Sequence, residues 1–197
     1  MNALDNLKVK IYADGADRDG MLEMYAKSYI QGFTTNPTLM KKVGITDYKA
    51  FALEILQAIP DRPISFEVFA DEFIDMERQA LEIAGWGKNV YVKIPVANSK
   101  GKFMGKIIKE LNSQNIKLNI TAVYTAKQTQ KILKLINKKS KVIVSIFAGR
   151  AGDVGKDPIP EIKKSIALSK KFKNVEILWA SVREPHNYIQ AKQLDCH

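Results

Sequence analysis

The chain has 197 residues, of which 46% are hydrophobic and 26% charged, a size and composition typical of one sizeable globular domain. Its net charge of +10 does not indicate nucleic-acid binding, because the lysines of segment 127–138 fall at helical spacing among apolar residues, with no aromatic residues between them. The single Cys196 excludes an intrachain disulfide and favours a reducing, cytoplasmic location; no apolar run approaches the roughly 20 residues of a membrane span, and Met1–Lys10 lacks signal-peptide features.

Short apolar runs alternate with longer amphipathic ones along the whole chain. The apolar runs predict strands over 8–14, 30–35, 63–69, 89–96, 117–123, 141–148 and 175–181. The amphipathic runs predict helices over 17–29, 46–58, 71–84, 105–114, 126–138 and 159–171, with a short one from about Pro185. This order gives seven βα units without a linker, and strands that alternate with helices predict a parallel sheet.

Two architectures have this order of elements, an open doubly wound sheet and a (β/α)₈ TIM barrel. The turn Asp14–Arg18 after the first strand has neither GxGxxG nor a P-loop. Side chains alternate between the two faces of a strand, and polar residues from all seven strands fall on the same face. In the seventh strand this face also includes Trp179, and Leu178 falls on the opposite, mostly aliphatic face. The polar set comprises Asp14, Thr34, Asn36, Glu67, Lys93, Asn119, Thr121, Ser145 and Ser181. An open sheet has no reason to gather polar groups from every strand, so the pattern favours a barrel with its site at the carboxyl ends of the strands.

The spacing of these polar positions bears on the completeness of the barrel. It would place an eighth strand near or beyond position 197. We therefore expect a single TIM-barrel domain over residues 1–197 that shows only seven βα units and is truncated at its C-terminus. Another chain could supply the eighth strand, because strands one and seven would otherwise expose unpaired edges.

Lys93 is the charged residue of an otherwise apolar strand, Asn89–Val96. A lysine in such a place is costly unless it is used or paired. Burial and neighbouring cations lower the pKa of a lysine, and the free amine is the nucleophile that Schiff-base enzymes need. The alternative is a strand-end lysine that reaches solvent.

Five motifs resemble, in order, those of the transaldolase family, and together they span the chain from about Val9 to Cys196. They are Gly32–Pro37 (GFTTNP), Val92–Pro95 (VKIP), Asn119–Thr121 (NIT), Ser145–Arg150 (SIFAGR) and Ala180–Arg183 (ASVR). The resemblance implies a class I Schiff-base (β/α)₈ enzyme of the pentose phosphate pathway that needs no metal or other cofactor. Its expected reaction moves a dihydroxyacetone unit from sedoheptulose 7-phosphate to glyceraldehyde 3-phosphate, which gives erythrose 4-phosphate and fructose 6-phosphate.

The resemblance also implies catalytic roles for four residues. Lys93 matches the Schiff-base lysine, and Asp14 matches the aspartate that takes and returns the proton of the hydroxyl beside the breaking bond. Glu67 and Thr121 match a pair that holds a catalytic water. The plainer alternatives are a helix cap for Asp14, where Asp17 also offers an N-cap, and a structural ion pair with Lys93 for Glu67.

The remaining matched residues would bind the substrate. Asn36 and Asn119 match residues that bond to the hydroxyls of the dihydroxyacetone unit, and Thr34 is expected to bind the substrate beside them. Ser145 and Phe147 match positions that line the site. The phosphate clamp is expected to consist of Arg150, Ser181 and Arg183. For the asparagines the alternative is ordinary turn or strand-end hydrogen bonding, and for either arginine a surface position. His186, His197 and Cys196 have no zinc-site spacing and are expected to be idle, whereas Trp86 and Trp179 are expected to pack.

Two other functions stay open at this point. The small fructose-6-phosphate aldolases of the same family typically carry glutamine, tyrosine and lysine where this chain has Glu67, Phe147 and Arg183. All three positions follow the transaldolase pattern, so transfer is favoured over simple aldol cleavage. The alternative from another class is a truncated, non-catalytic remnant that binds phosphosugars or assembles with partners. Sugar phosphates are the expected ligands, and a homo-oligomer is expected because such barrels commonly form one.

Overall fold

The chain folds into one parallel sheet with helices between its strands; the structure is a computed structural model that describes residues 7–197. Residues 1–6, part of the segment considered for a signal peptide, lie outside the described range. The strands are β1 (Ile11–Asp14), β2 (Ile30–Thr34), β3 (Ile64–Glu67), β4 (Val90–Pro95), β5 (Leu118–Val123), β6 (Val142–Phe147) and β7 (Val175–Ala180). The helices are α1 (Arg18–Tyr25), α2 (Pro37–Lys42), α3 (Tyr48–Ala58), α4 (Phe73–Ala84), α5 (Gly105–Ser113), α6 (Ala126–Leu133), α7 (Ala148–Asp153), α8 (Ile159–Ser169) and α9 (His186–Gln193).

The strands pair in sequential order from β1 to β7, and every pair is parallel. A doubly wound sheet reverses its strand order, so that alternative was wrong. In a flat sheet β1 and β7 would lie roughly 29 Å apart, at about 4.8 Å per strand. Lys10, directly before β1, nevertheless forms an ion pair with Glu176 of β7. The sheet therefore curls until its first and last strands approach each other, which confirms the predicted barrel architecture with seven βα units.

The core lies between the sheet and the helices that surround it. Phe33, Phe66, Val92 and Val144 are fully buried on the outward side of their strands. Burying each such side chain contributes about 1.5–3 kcal/mol. Trp86 joins this layer through edge contacts with Phe66 and with Tyr48 of α3, so it packs as predicted.

The register of the sheet places the predicted polar residues on one face. Glu67 is paired with Lys93, and Lys93 with Asn119, so the three side chains point to the inside of the curl. The predicted phase was wrong only for β7. The inward-pointing Ser145 is paired with Leu178, so Leu178 and not Trp179 shares the inner face. Trp179 instead lies in the hydrophobic core.

The error in β7 has a backbone cause. Ser181 has a φ of +64°, in the left-handed region that interrupts the regular alternation of a strand. Counting backwards from Ser181 therefore gave the wrong face to Leu178 and Trp179. Because both of these residues are apolar, hydrophobicity did not correct the count.

Four helices depart from the sequence prediction, among them α1, which was predicted to reach residue 29 and ends at Tyr25. The short helices α2 and α7 were not predicted, although α2 begins with the favourable pair of an Asn36 cap and Pro37. The helix predicted over 126–138 ends at Leu133, because the chain then turns and the Asn137 side chain bonds to Asn112 on α5. In residues 7–197 no helix is long and apolar enough to cross a membrane.

Candidate active site

A cavity of about 1070 Å³ lies inside the curl, at the carboxyl ends of the strands. Every residue predicted for the site lines it: Asp14, Thr34, Asn36, Glu67, Lys93, Asn119, Thr121, Ser145, Phe147, Arg150, Ser181 and Arg183. A second cavity of about 430 Å³ lies beside α2, has Lys41 as its charged lining residue, and contains none of this set. The larger cavity is therefore the candidate active site.

Lys93 occupies the wall of this cavity with only 7% of its surface exposed. Its Nζ lies 3.1 Å from Oε2 of Glu67 and donates a hydrogen bond of 3.0 Å to the backbone carbonyl of Thr35. Burial raises the pKa of the Glu67 carboxyl above its usual value, and the Lys93 ammonium opposes that rise. The solvent-reaching alternative for Lys93 is thereby wrong, and the Glu67–Lys93 ion pair considered as the plainer alternative for Glu67 is formed.

Asp14, the last residue of β1, is held by two neighbours from the end of β2. The Thr34 hydroxyl donates to one carboxylate oxygen at 2.7 Å, and the Asn36 amide makes a longer contact of 3.5 Å to the other. The helix cap is supplied by Asp17, whose carboxylate accepts from the Gly20 amide. The capping alternative for Asp14 was therefore wrong, and its carboxylate faces the cavity.

Asn36 combines the two kinds of bonding that the sequence left open. Its Oδ1 accepts from the Leu39 amide at 3.0 Å and so caps α2. This bond fixes the orientation of the amide, so the Asn36 nitrogen points towards Asp14 and the cavity.

Asn119 is fully buried and fixed at both ends of its amide. Its nitrogen donates to the Ser65 hydroxyl at 3.0 Å, and its oxygen accepts from the Ser145 hydroxyl at 2.7 Å. Ser65 belongs to β3 and reaches across the intervening strand, which only the curl of the sheet permits. Ser65 precedes Glu67 by two residues in β3 and so shares its inner face, but the sequence reasoning assigned it no part in the site.

Thr121 lies two residues further along β5 and its hydroxyl is buried without a hydrogen-bond partner among the described residues. The register of β5 against β6 shifts between Ile120 and Val123, around Ala122 with its φ of +56°. Bulges of this kind commonly aim a side chain at a site. This hydroxyl can therefore bond to a ligand or to a water in the cavity.

The predicted phosphate-binding residues meet where α7 approaches the segment after β7. A Cβ on Gly149 would lie 1.8 Å from the Ser181 carbonyl oxygen, so only glycine allows this approach. Arg183 makes a two-point contact with Asp153, with N–O distances of 3.0 and 2.6 Å. The guanidinium of Arg150 lies 5.8 Å from the centre of the Phe147 ring, within cation–π range.

Asp153 was missed by the sequence reasoning. Hydrogen bonds from Arg183 hold the pKa of the Asp153 carboxyl below its usual value, and the charge of Arg150 adds to this. The signal was its spacing, because residues three apart lie on the same side of a helix and Asp153 follows Arg150 by three.

The residues expected to be idle take no part in the polar contacts described above, although His197 lines the cavity. His186 begins α9 in an exposed position. His197 bonds to both backbone groups of Ile177, accepting its N–H at Nδ1 and donating to its carbonyl. Burial raises the pKa of the Cys196 thiol to about 12. Among residues 7–197 no group of histidine, cysteine and carboxylate side chains is arranged to hold a metal ion.

Fold and site together define an α/β-barrel protein with a buried lysine at the carboxyl ends of its strands. The chain belongs to the transaldolase/fructose-6-phosphate aldolase family, whose family model matches residues 11–197. It is 35% identical over 190 residues to a probable transaldolase of a Thermoanaerobacter species, covering 96% of this chain and 83% of that protein. Probable transaldolases of Dehalococcoides mccartyi and Methanococcus maripaludis are each 32% identical over 94% of this chain and 82% of their own length.

Solved structures support the fold alone. Dihydrodipicolinate synthase from Rhodopseudomonas palustris superposes with a TM-score of 0.61 at 16% identity, over 86% of this chain and 62% of that chain. An uncharacterised TIM-barrel protein from Bordetella bronchiseptica superposes with a TM-score of 0.53 at 14% identity, over 82% of this chain and 58% of that chain. This chain thus spans less than two thirds of either neighbour.

Proposed function

We propose that this protein is a transaldolase, which transfers a dihydroxyacetone unit from a ketose phosphate to an aldose phosphate through a Schiff base on Lys93. The observation that carries the proposal is the buried Lys93 amine, held between the Glu67 carboxylate and the Thr35 carbonyl in the wall of the cavity. A buried amine beside a carboxylate has both the nucleophile and the proton acceptor that imine formation needs.

Imine formation begins when the Lys93 ammonium gives up a proton, for which Glu67 is the nearest carboxylate. The amine adds to the ketose carbonyl carbon, and loss of one water leaves a protonated imine. The water takes its oxygen from the former carbonyl and both of its protons from the Lys93 nitrogen, one of them by way of Glu67. Glu67 and the unpartnered Thr121 hydroxyl are suited to relay these protons through a bound water.

The carbon–carbon bond breaks next, with the imine as electron sink. Asp14 takes the proton of the hydroxyl beside the breaking bond, whose electron pair moves into the imine and leaves an enamine on Lys93. The first aldose phosphate departs. In the reverse sense, the enamine carbon attacks the aldehyde of the acceptor, Asp14 returns the proton, and water releases the new ketose from Lys93.

We assign the binding of the substrate to residues that line the same cavity. Asn36 and Asn119 are suited to the hydroxyls of the dihydroxyacetone unit, because their amides are already oriented by other bonds. Arg150, Ser181 and Arg183 are suited to the phosphate, since guanidinium groups match phosphate oxygens. Ser145 and Phe147 complete the lining.

The test is borohydride trapping with fructose 6-phosphate, followed by mass spectrometry of the reduced protein. A single adduct on Lys93 is expected; folded protein that gives no adduct would contradict the proposal and leave a non-catalytic phosphosugar-binding protein. Adding glyceraldehyde 3-phosphate or erythrose 4-phosphate then separates transfer from cleavage. Release of free dihydroxyacetone without an acceptor would indicate an aldolase instead, the other activity in the family's description.

Two further expectations belong to this proposal. We expect the pentose phosphate pathway, in the cytoplasm, as the setting of the reaction. We also expect a homo-oligomer, which light scattering on the purified protein would measure.

A further inference from the structure

Asp153 is the last residue of α7 and makes its closest contacts with Arg183, which lines the cavity. Nε and Nη2 of Arg183 donate to the two carboxylate oxygens, at 3.0 and 2.6 Å. The pair joins two separate segments, since α7 follows β6 and Arg183 follows β7. Both side chains are about half exposed, so the contact does not serve to fill the core.

The remaining donors of Arg183 can be counted. A guanidinium has five N–H groups. Asp153 takes one from Nε and one from Nη2, while Nη1 makes long contacts to the backbone carbonyls of Ser181 and Val182, at 3.3 and 3.5 Å. Within residues 7–197 one N–H of Nη2 is left free, the two of Nη1 are held only by these long contacts, and Arg183 lines the cavity.

We propose that Asp153 is a positioning residue, which holds the Arg183 guanidinium by one edge so that its other donors are ready for the phosphate group of a sugar phosphate. An arginine side chain that is fixed beforehand loses less rotamer freedom when it binds, and a preorganised donor binds more tightly. The inference rests on the proposed function only in placing phosphate at this end of the cavity.

A competing anion is the physical alternative. If the carboxylate only occupied the place of the phosphate, removing it would free Arg183 and raise the positive charge of the site. Binding of a phosphate would then become tighter. The two roles of Asp153 therefore predict opposite changes in affinity.

The experiment measures the Kd of glucitol 6-phosphate, which has the phosphate but no carbonyl and so cannot react with Lys93. Calorimetric titration of Asp153→Ala should give a Kd about three- to tenfold higher than that of the native chain. Asp153→Asn, which keeps one acceptor oxygen but loses the charge, should also raise the Kd. The matched control is Asp75→Ala, which changes the net charge equally but breaks the surface pair of Asp75 with Arg78 on α4. It should leave the Kd unchanged.

An unchanged or lower Kd in both Asp153 variants would overturn the inference, as would a native chain that does not bind glucitol 6-phosphate. Borohydride trapping reports separately on the proposed function. If no adduct forms on Lys93 but Asp153→Ala binds more weakly, the proposed enzymatic function is wrong and the positioning role of Asp153 is supported.

Discussion

The amine of Lys93 and the carboxylate of Glu67 lie 3.1 Å apart because the two residues are paired across the parallel strands β3 and β4. Paired residues of neighbouring strands point to the same face, so the contact follows from the register of the sheet. Both groups are largely buried, and removing either one leaves the other without its counter-charge. The pair is therefore the most sensitive point of the proposed mechanism.

Replacing Lys93 by methionine should abolish the borohydride adduct and lower transfer activity at least about a thousandfold, because the buried amine that forms the imine is removed. The Glu67 carboxyl can become neutral in this variant, since burial already raises its pKa. Lys117→Met is the control, because the Lys117 side chain lies outside the cavity, over the Tyr91 ring. Full activity in Lys93→Met, or equal losses in both variants, would contradict the assignment.

The rate of imine formation should fall on the acid side with a pKa above the ordinary glutamate value. Burial raises the pKa of Glu67, so this carboxyl takes up its proton at a higher pH than an exposed glutamate does. Once protonated it cannot accept the proton of Lys93, and imine formation is lost as pH falls through the raised pKa. Single-turnover trapping between about pH 4 and 8 measures this fall of the rate on the acid side. In Glu67→Gln the rate should be low at every pH and should not fall further on the acid side. The same acid-side fall in that variant would exclude Glu67 as its cause.

Gly149→Ala should lower both stability and the affinity for phosphorylated substrates. The new methyl group would lie 1.8 Å from the Ser181 carbonyl oxygen, so the segment that carries Ser181 and Arg183 must move. Overpacking of this kind costs about 1–3 kcal/mol. Thermal unfolding and the KM for fructose 6-phosphate are the measurements.

Gly152→Ala is the control on the same helix, where a Cβ would meet nothing within 4 Å. This change should stabilise α7 by up to about 1 kcal/mol, through helix propensity, and leave KM unchanged. Equal effects of the two substitutions would show that the close approach of Gly149 to Ser181 is unimportant.

Ser65→Ala should reduce kcat/KM about three- to tenfold, because Asn119 loses the bond that orients its amide nitrogen. The lost hydrogen bond should also cost about 1 kcal/mol of stability. Ser165→Ala is matched, since Ser165 is equally buried and bonds to the Thr129 hydroxyl at 2.9 Å between α6 and α8. It should lose similar stability and keep full activity. A similar loss of activity in the control would reduce the role of Ser65 to stability alone.

The sequence was sufficient to place a residue in the site where both the alternation of a strand and the spacing of a motif pointed to it. Lys93 and Glu67 are charged residues in apolar strands, so their unusual placement was visible in the chain itself. Alternation failed at Trp179, because the count started from Ser181, which has left-handed backbone geometry, and Leu178 and Trp179 are both apolar. The eighth strand expected beyond the chain stays a prediction.

Contacts between residues of distant segments are not marked in the sequence as clearly as alternation and motif spacing mark the strands and motifs. Ser65 resembles any small strand residue, and its bond to Asn119 depends on the curl of the sheet across β4. Asp153 resembles a surface carboxylate until α7 brings it to Arg183, thirty residues further along the chain.

By itself, therefore, the sequence determined the βα repeat, the inner position of Lys93, Glu67 and Asp14, and the family resemblance. These follow from local periodicity and from short motifs, which each segment carries independently of the others. Only the tertiary structure decided the partners of those residues: Thr35 for Lys93, Ser65 for Asn119 and Asp153 for Arg183. Such pairings are set by strand register and by the curvature of the whole sheet, which no single segment specifies.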